Sequence, residues 1–172
     1  MNLEVMLEKI NTIADSRIKA EEDKDKLERE LITKYADTID DMSERISNVL
    51  DIVNLLAERK IPKTEYTRQL YHDFCEVLKE KGVNIRFLSN KHESPSEPPY
   101  TYICSIVVEK VGALSPDTYW TRVDKYGSPR CTQKWQSGSE SSIEVSSKLL
   151  LNFINEFEKA EQALQEYVEG LE

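Results

Sequence analysis

LEVMLEKINTI (residues 3–13) and IDDMSERISNVLDIVNLL (residues 39–56) decide the fold. In both stretches apolar residues return at alternating steps of three and four. The first gives Leu3, Met6, Ile10 and Ile13; the second gives Ile39, Met42, Ile46, Val49, Val53 and Leu56. This spacing draws one apolar stripe along a helix, at the a and d positions of a heptad. Ala20 and Leu27 continue the stripe between the two stretches. Leu31, Tyr35 and Ile39 follow at steps of four, a stutter that locally unwinds a supercoil. Arg17 and Lys24 stand where apolar residues are expected.

From Asn2 to Lys60 there is no Gly and no Pro, so nothing in the run breaks a helix. The alternative is a break at Asp37-Thr38, with Thr38 as an N-cap and Asp41 completing a capping box. Because the stripe keeps its phase there, the expectation is one helix of about 57 residues, roughly 85 Å long at 1.5 Å per residue. So long a helix cannot be covered by the rest of so short a chain. Its seam predicts pairing with another copy, a homodimer, over Leu3–Leu56.

Beyond this arm (residues 1–60), residues 61–172 read as a small α+β domain. Ile61-Pro62 ends the first helix and Thr64 caps a second, over about 64–81, with Tyr66, Leu70, Phe74, Val77 and Leu78 on one face. Gly82 suits its C-terminal stop. Ile85–Leu88, Tyr100–Val111, Thr118–Lys125 and Arg130–Trp135 are rich in β-branched and aromatic residues and predict three or four antiparallel strands. Tyr126-Gly127-Ser128-Pro129 reads as a turn, and Asn90–Pro99, with three prolines, as an irregular loop. A last helix over about 142–170 carries Leu150, Phe153, Phe157, Ala160, Leu164, Tyr167 and Leu171 as a second heptad seam. At about 29 residues it can cover only half of the first seam.

The 172 residues carry a formal net charge of −9. Residues 1–60 hold −5, residues 61–139 hold +2, and residues 140–172 hold −6, so acidic helices flank a slightly basic middle. An acidic chain is a poor generic binder of DNA or of anionic membranes. Cys75, Cys104 and Cys131 are too few and too scattered for a disulfide framework or a CxxC site. With no signal-peptide pattern and no membrane-length apolar run, they point to the cytoplasm.

No catalytic motif is legible. His72 and His92 have no ligand or Cys-His spacing. The five isolated glycines make no phosphate-cradling loop. The acidic clusters Glu21–Asp25 and Asp37/Asp40/Asp41 lack calcium-loop spacing. Cys131, next to Arg130, is the one thiol with a neighbouring cation. No cofactor or metal is expected.

The candidate binding face comprises Trp120, Arg122, Lys125, Arg130, Lys134 and Trp135. Strand alternation puts Trp120, Arg122 and Asp124 on one face and Tyr119, Thr121, Val123 and Lys125 on the other. Trp and Arg are common anchors for a protein partner, and basic residues among aromatics can also grip single-stranded nucleic acid. Three functions follow in order. The first is a non-catalytic interaction protein that dimerises through a coiled coil. The second is a phage-type inhibitor whose acidic helices block a nucleic-acid-processing enzyme. The third is a single-stranded nucleic-acid binder.

Overall fold

The computed structural model describes residues 2–58, 65–111, 118–135 and 137–171. It is an α+β fold. Helices α1 (Leu3–Asp41), α2 (Ser43–Glu58) and α3 (Glu65–Glu80) precede strands β1 (Ile85–Ser94), β2 (Glu97–Val111), β3 (Thr118–Asp124), β4 (Gly127–Lys134) and β5 (Glu140–Ile143). Helix α4 (Ser147–Glu169) follows. The strands form one antiparallel meander in chain order. The Ile61-Pro62 helix end, the Thr64 cap and the Tyr66 side chain lie outside the described residues.

The long helix is interrupted at one residue, Met42, whose ψ opens to 0°. The hydrogen-bond ladder survives on both sides: the Met42 N–H donates to the Thr38 carbonyl at 3.0 Å, and the Ile46 N–H to the Met42 carbonyl at 2.9 Å. The interruption therefore lies beyond Asp37-Thr38, and Thr38 is no N-cap. Its hydroxyl donates back to the Lys34 carbonyl at 2.9 Å, a bond made inside a helix.

Two stretches of the long helix have opposite fates. Every residue from Asn2 to Leu27 is exposed. From Glu28 onward the helix joins the head, and Ile39, Met42, Ile46, Val49, Val53 and Leu56 all enter its core. The expectation of one intermolecular seam from Leu3 to Leu56 is corrected to that extent. Six of its ten residues are covered within the chain, and Leu3, Met6, Ile10 and Ile13 stay outside. The free arm thus ends near residue 27 rather than 60.

The core is a sandwich of helices on the inner face of the sheet. Phe74, Phe153 and Phe157 are fully buried, beside Ile106, Val108 and Val123. The Tyr167 hydroxyl ties α4 to α3 through the Leu70 carbonyl at 2.9 Å. A bulge at Cys104 rephases β2, since Leu88 pairs with Ser105 and Ser89 with Ile103. Ile103 and Ile106 thereby both reach the core, although three residues apart.

Three further expectations change. Asn90–Pro99 is a hairpin, not an irregular loop: β1 and β2 continue through it to the pair Ser94–Glu97. Pro98 and Pro99 stand opposite the single residue Glu93, at a register shift where no ladder N–H is required. A fifth strand, β5, follows the turn after Trp135. Helix α4 accordingly starts later than residue 142, with Ser146 as its N-cap.

Candidate functional site

The outer face of the sheet, away from the helices, is ordered by register. Arg86 pairs with Val107, Val107 with Arg122, and Arg122 with Arg130. Three arginines and one valine therefore form a single row across β1, β2, β3 and β4. The three arginine side chains are exposed, and Val107 beneath them is 1% exposed. The next row runs Glu109, Trp120, Thr132 and Ser142. Between the two rows lies a hollow of about 430 Å³, lined by the three arginines, Leu88, Val107, Trp120, Thr132, Glu140 and Ser142.

Each arginine is held differently. The Arg86 guanidinium lies over the Trp120 ring, 5.3 Å from its centroid, and its Nε is 3.1 Å from Glu109. Arg122 Nε donates to the buried Ser105 hydroxyl at 2.9 Å, which holds its guanidinium at the lining of the hollow. The Arg130 side chain has no hydrogen-bond or ion-pair partner among the described residues. Arg122 and Arg130 are directly opposed on neighbouring strands, an arrangement that costs stability for like charges. Such a row can bind carboxylates or phosphates, because guanidinium groups donate in a planar fork that matches both.

Of the six residues expected on this face, Trp120, Arg122 and Arg130 come together. Lys134 shares their face by alternation but pairs with Glu140 at the far end of β4. Lys125 lies in the β3–β4 turn, 3.6 Å from Asp51 of α2. Trp135 lies past the end of β4, where its indole N–H donates to Ser141 at 3.0 Å. Sequence reasoning missed Arg86. Its place between Ile85 and Phe87 marked it as outward-facing, but only the strand register sets it beside Arg122.

The remaining candidates separate. Cys131 points inward, away from Arg130, and is 3% exposed. Burial pushes its thiol pKa up, as it does for Cys75. Neither is poised as a thiolate. His72 is exposed on α3, and His92 stacks on Tyr100 with ring centroids 4.9 Å apart. Among the described residues no three His, Cys, Asp or Glu side chains converge to hold a metal ion. No helix among them is long and apolar enough to cross a membrane.

No family model, no curated protein and no solved structure matches this chain.

Proposed function

We propose that this chain is a non-catalytic interaction protein that self-associates through residues 3–27 and offers its arginine row to an acidic segment of a protein partner. The state of the arm carries the reading. Leu3 (69%), Ile10 (59%), Ile13 (51%) and Leu27 (56%) are exposed along one heptad stripe. Helices in water owe most of their stability to packing of an apolar face, and nothing within the described chain packs this one. A second arm brings the same stripe and covers it.

The row of Arg86, Arg122 and Arg130 supports the second half of the proposal. Its mutual repulsion is relieved when an anionic partner binds. A protein segment fits better than single-stranded nucleic acid, because the tryptophan beside the row is not an open stacking platform. Arg86 covers the Trp120 ring, and Trp135 stands outside the hollow.

Light scattering after size exclusion tests the reading. The native chain is expected at twice its 19.9 kDa mass with an elongated profile. The variant Ile10→Asp/Ile13→Asp is expected at the single-chain mass. A native chain that stays monomeric at about 100 times a micromolar dissociation constant overturns the proposal.

A further inference from the structure

We infer that the two arms pair antiparallel, in the register that sets Leu3 beside Leu27 of the second copy and Ile10 beside Ala20. The inference rests on the self-association reading and adds direction, register and the placement of the two heads. Its ground is the charge carried at two a positions of the exposed stripe, Arg17 and Lys24.

In a parallel, in-register pair each a position meets itself. Arg17 then faces Arg17, Lys24 faces Lys24, and the flanking Asp23 approaches Glu28 of the second copy. Those contacts are all between like charges. In the antiparallel register a positions meet d positions. Arg17 lies beside Ile13 and Lys24 beside Met6, so each long side chain packs its stem on an apolar neighbour and turns its charge outward. The flanking Lys9 meets Asp23 of the second copy, and does so twice by symmetry. Ala14 and Ser16 cross at the centre, where small side chains let the backbones approach.

The length of the free arm selects the same register. Exposure runs from Asn2 to Leu27, and the first residue held by the head is Glu28, bonded to Ser147. A slide of one heptad in one direction leaves Leu27 uncovered. A slide the other way drives the arm tip into the head of the second copy. Among antiparallel registers, only the one that pairs Leu3 with Leu27 covers the whole stripe and keeps the tip clear of the head. It also puts the two heads at opposite ends of a rod, their Glu28 residues about 39 Å apart along the axis at 1.5 Å per residue. The dimer then grips two separated acidic segments, or one long one, with an avidity that a side-by-side pair of heads does not reach.

Carbodiimide cross-linking of an equimolar mixture of ¹⁴N- and ¹⁵N-labelled full-length chains tests this. Within one helix Lys9 and Asp23 are about 21 Å apart, beyond the reach of a zero-length link. A Lys9–Asp23 link therefore joins two chains, and the linked product is expected to include pairs of one light and one heavy peptide. The double reversal Lys9→Asp/Asp23→Lys is expected to restore a dimer that Lys9→Asp alone weakens severalfold. Mixed-isotope links between residues of the same level, such as Lys24 with Asp23 or Asp25, without a Lys9–Asp23 link, overturn the antiparallel register. So does any dimer lacking both the link and the rescue. A single-chain mass removes the self-association reading itself.

Discussion

Glu28 caps α4 through Ser147. One carboxylate oxygen accepts from the Ser147 N–H at 2.8 Å and the other from its hydroxyl at 2.6 Å. A carboxylate at the first turn of a helix satisfies orphan donors and opposes the positive end of the helix dipole. The contact joins residues 119 positions apart and marks where the free arm enters the head. Its hydroxyl and backbone hydrogen bonds, helped by Lys148, hold the Glu28 carboxyl below the usual carboxylate range. A depressed folded pKa means the stabilisation is present above the unfolded value, near 4.5, and fades as pH falls through the folded value. Glu28→Gln is expected to cost about 0.5–2 kcal/mol at pH 7, in the range of a lost cap. It should also flatten the loss of stability below about pH 4.5. Urea unfolding from pH 3 to 7 checks both; equal acid limbs in the two proteins would refute the assignment.

Asn54 stands in for a missing strand. β3 reaches only to Ser105 along β2, so the earlier part of β2 has an open edge. The Asn54 side chain closes it at Ile103, donating to its carbonyl at 2.9 Å and accepting from its N–H at 2.8 Å. Asn54→Leu leaves both backbone groups unpaired near the core and is expected to cost about 1–3 kcal/mol. Asn54→Asp keeps the acceptor and loses the donor. Above the carboxyl pKa it also sets a negative charge against the Ile103 carbonyl. Its deficit should therefore shrink as pH falls and the carboxyl protonates, and a deficit independent of pH between 3 and 7 contradicts this account.

What the sequence made legible follows from what each pattern encodes. A heptad stripe states that a helix face is apolar, not what covers it. Ile10 and Ile46 carry the same signal, yet one is exposed and the other fully buried. The limit was visible in the lengths, since α4 could cover only half the seam. Strand alternation assigned Trp120 and Arg122 to one face correctly. It could not place Arg86 beside them, because lateral neighbours depend on register, and register depends on the bulge at Cys104. β5 escaped notice because Glu140-Ser141-Ser142-Ile143 is an edge strand with exposed polar residues and no apolar alternation to announce it. The prolines of Asn90–Pro99 argued for a loop. They fall where the ladder is already broken, which is the place a hairpin tolerates them.

The opposition of Arg122 and Arg130 gives a prediction in which stability and binding move apart. Arg130→Glu turns a repulsive cross-strand pair into an attractive one and is expected to raise unfolding stability by about 0.2–1 kcal/mol. The same change should weaken capture of an acidic peptide, such as a run of glutamates, and make the remaining binding less sensitive to salt. Fluorescence anisotropy of a labelled polyglutamate peptide, with thermal melts of both proteins, measures the two effects. If Arg130→Glu destabilises the head, the row is a structural feature rather than a binding one.

The division of the heptad stripe predicts two classes of variant within one helical run. Ile46 is fully buried against the head, and its truncation to Ala should cost about 2–5 kcal/mol through lost burial and a residual cavity. Ile13 is 51% exposed, and Ile13→Ala removes nothing from the core of the head. At concentrations where the chain is monomeric, Ile13→Ala should leave the unfolding midpoint of the head within about 0.5 kcal/mol of the native protein. At concentrations where the native chain is dimeric, the same variant should lower the apparent mass and any concentration-dependent part of the melting temperature. Ile46→Ala should do the reverse, shifting the midpoint at every concentration while the arm still associates. Chemical unfolding at two protein concentrations, with light scattering at each, separates the classes. A large loss from Ile13→Ala in the dilute monomer means that the arm packs on its own head, and the exposed stripe is then not the surface through which two copies meet.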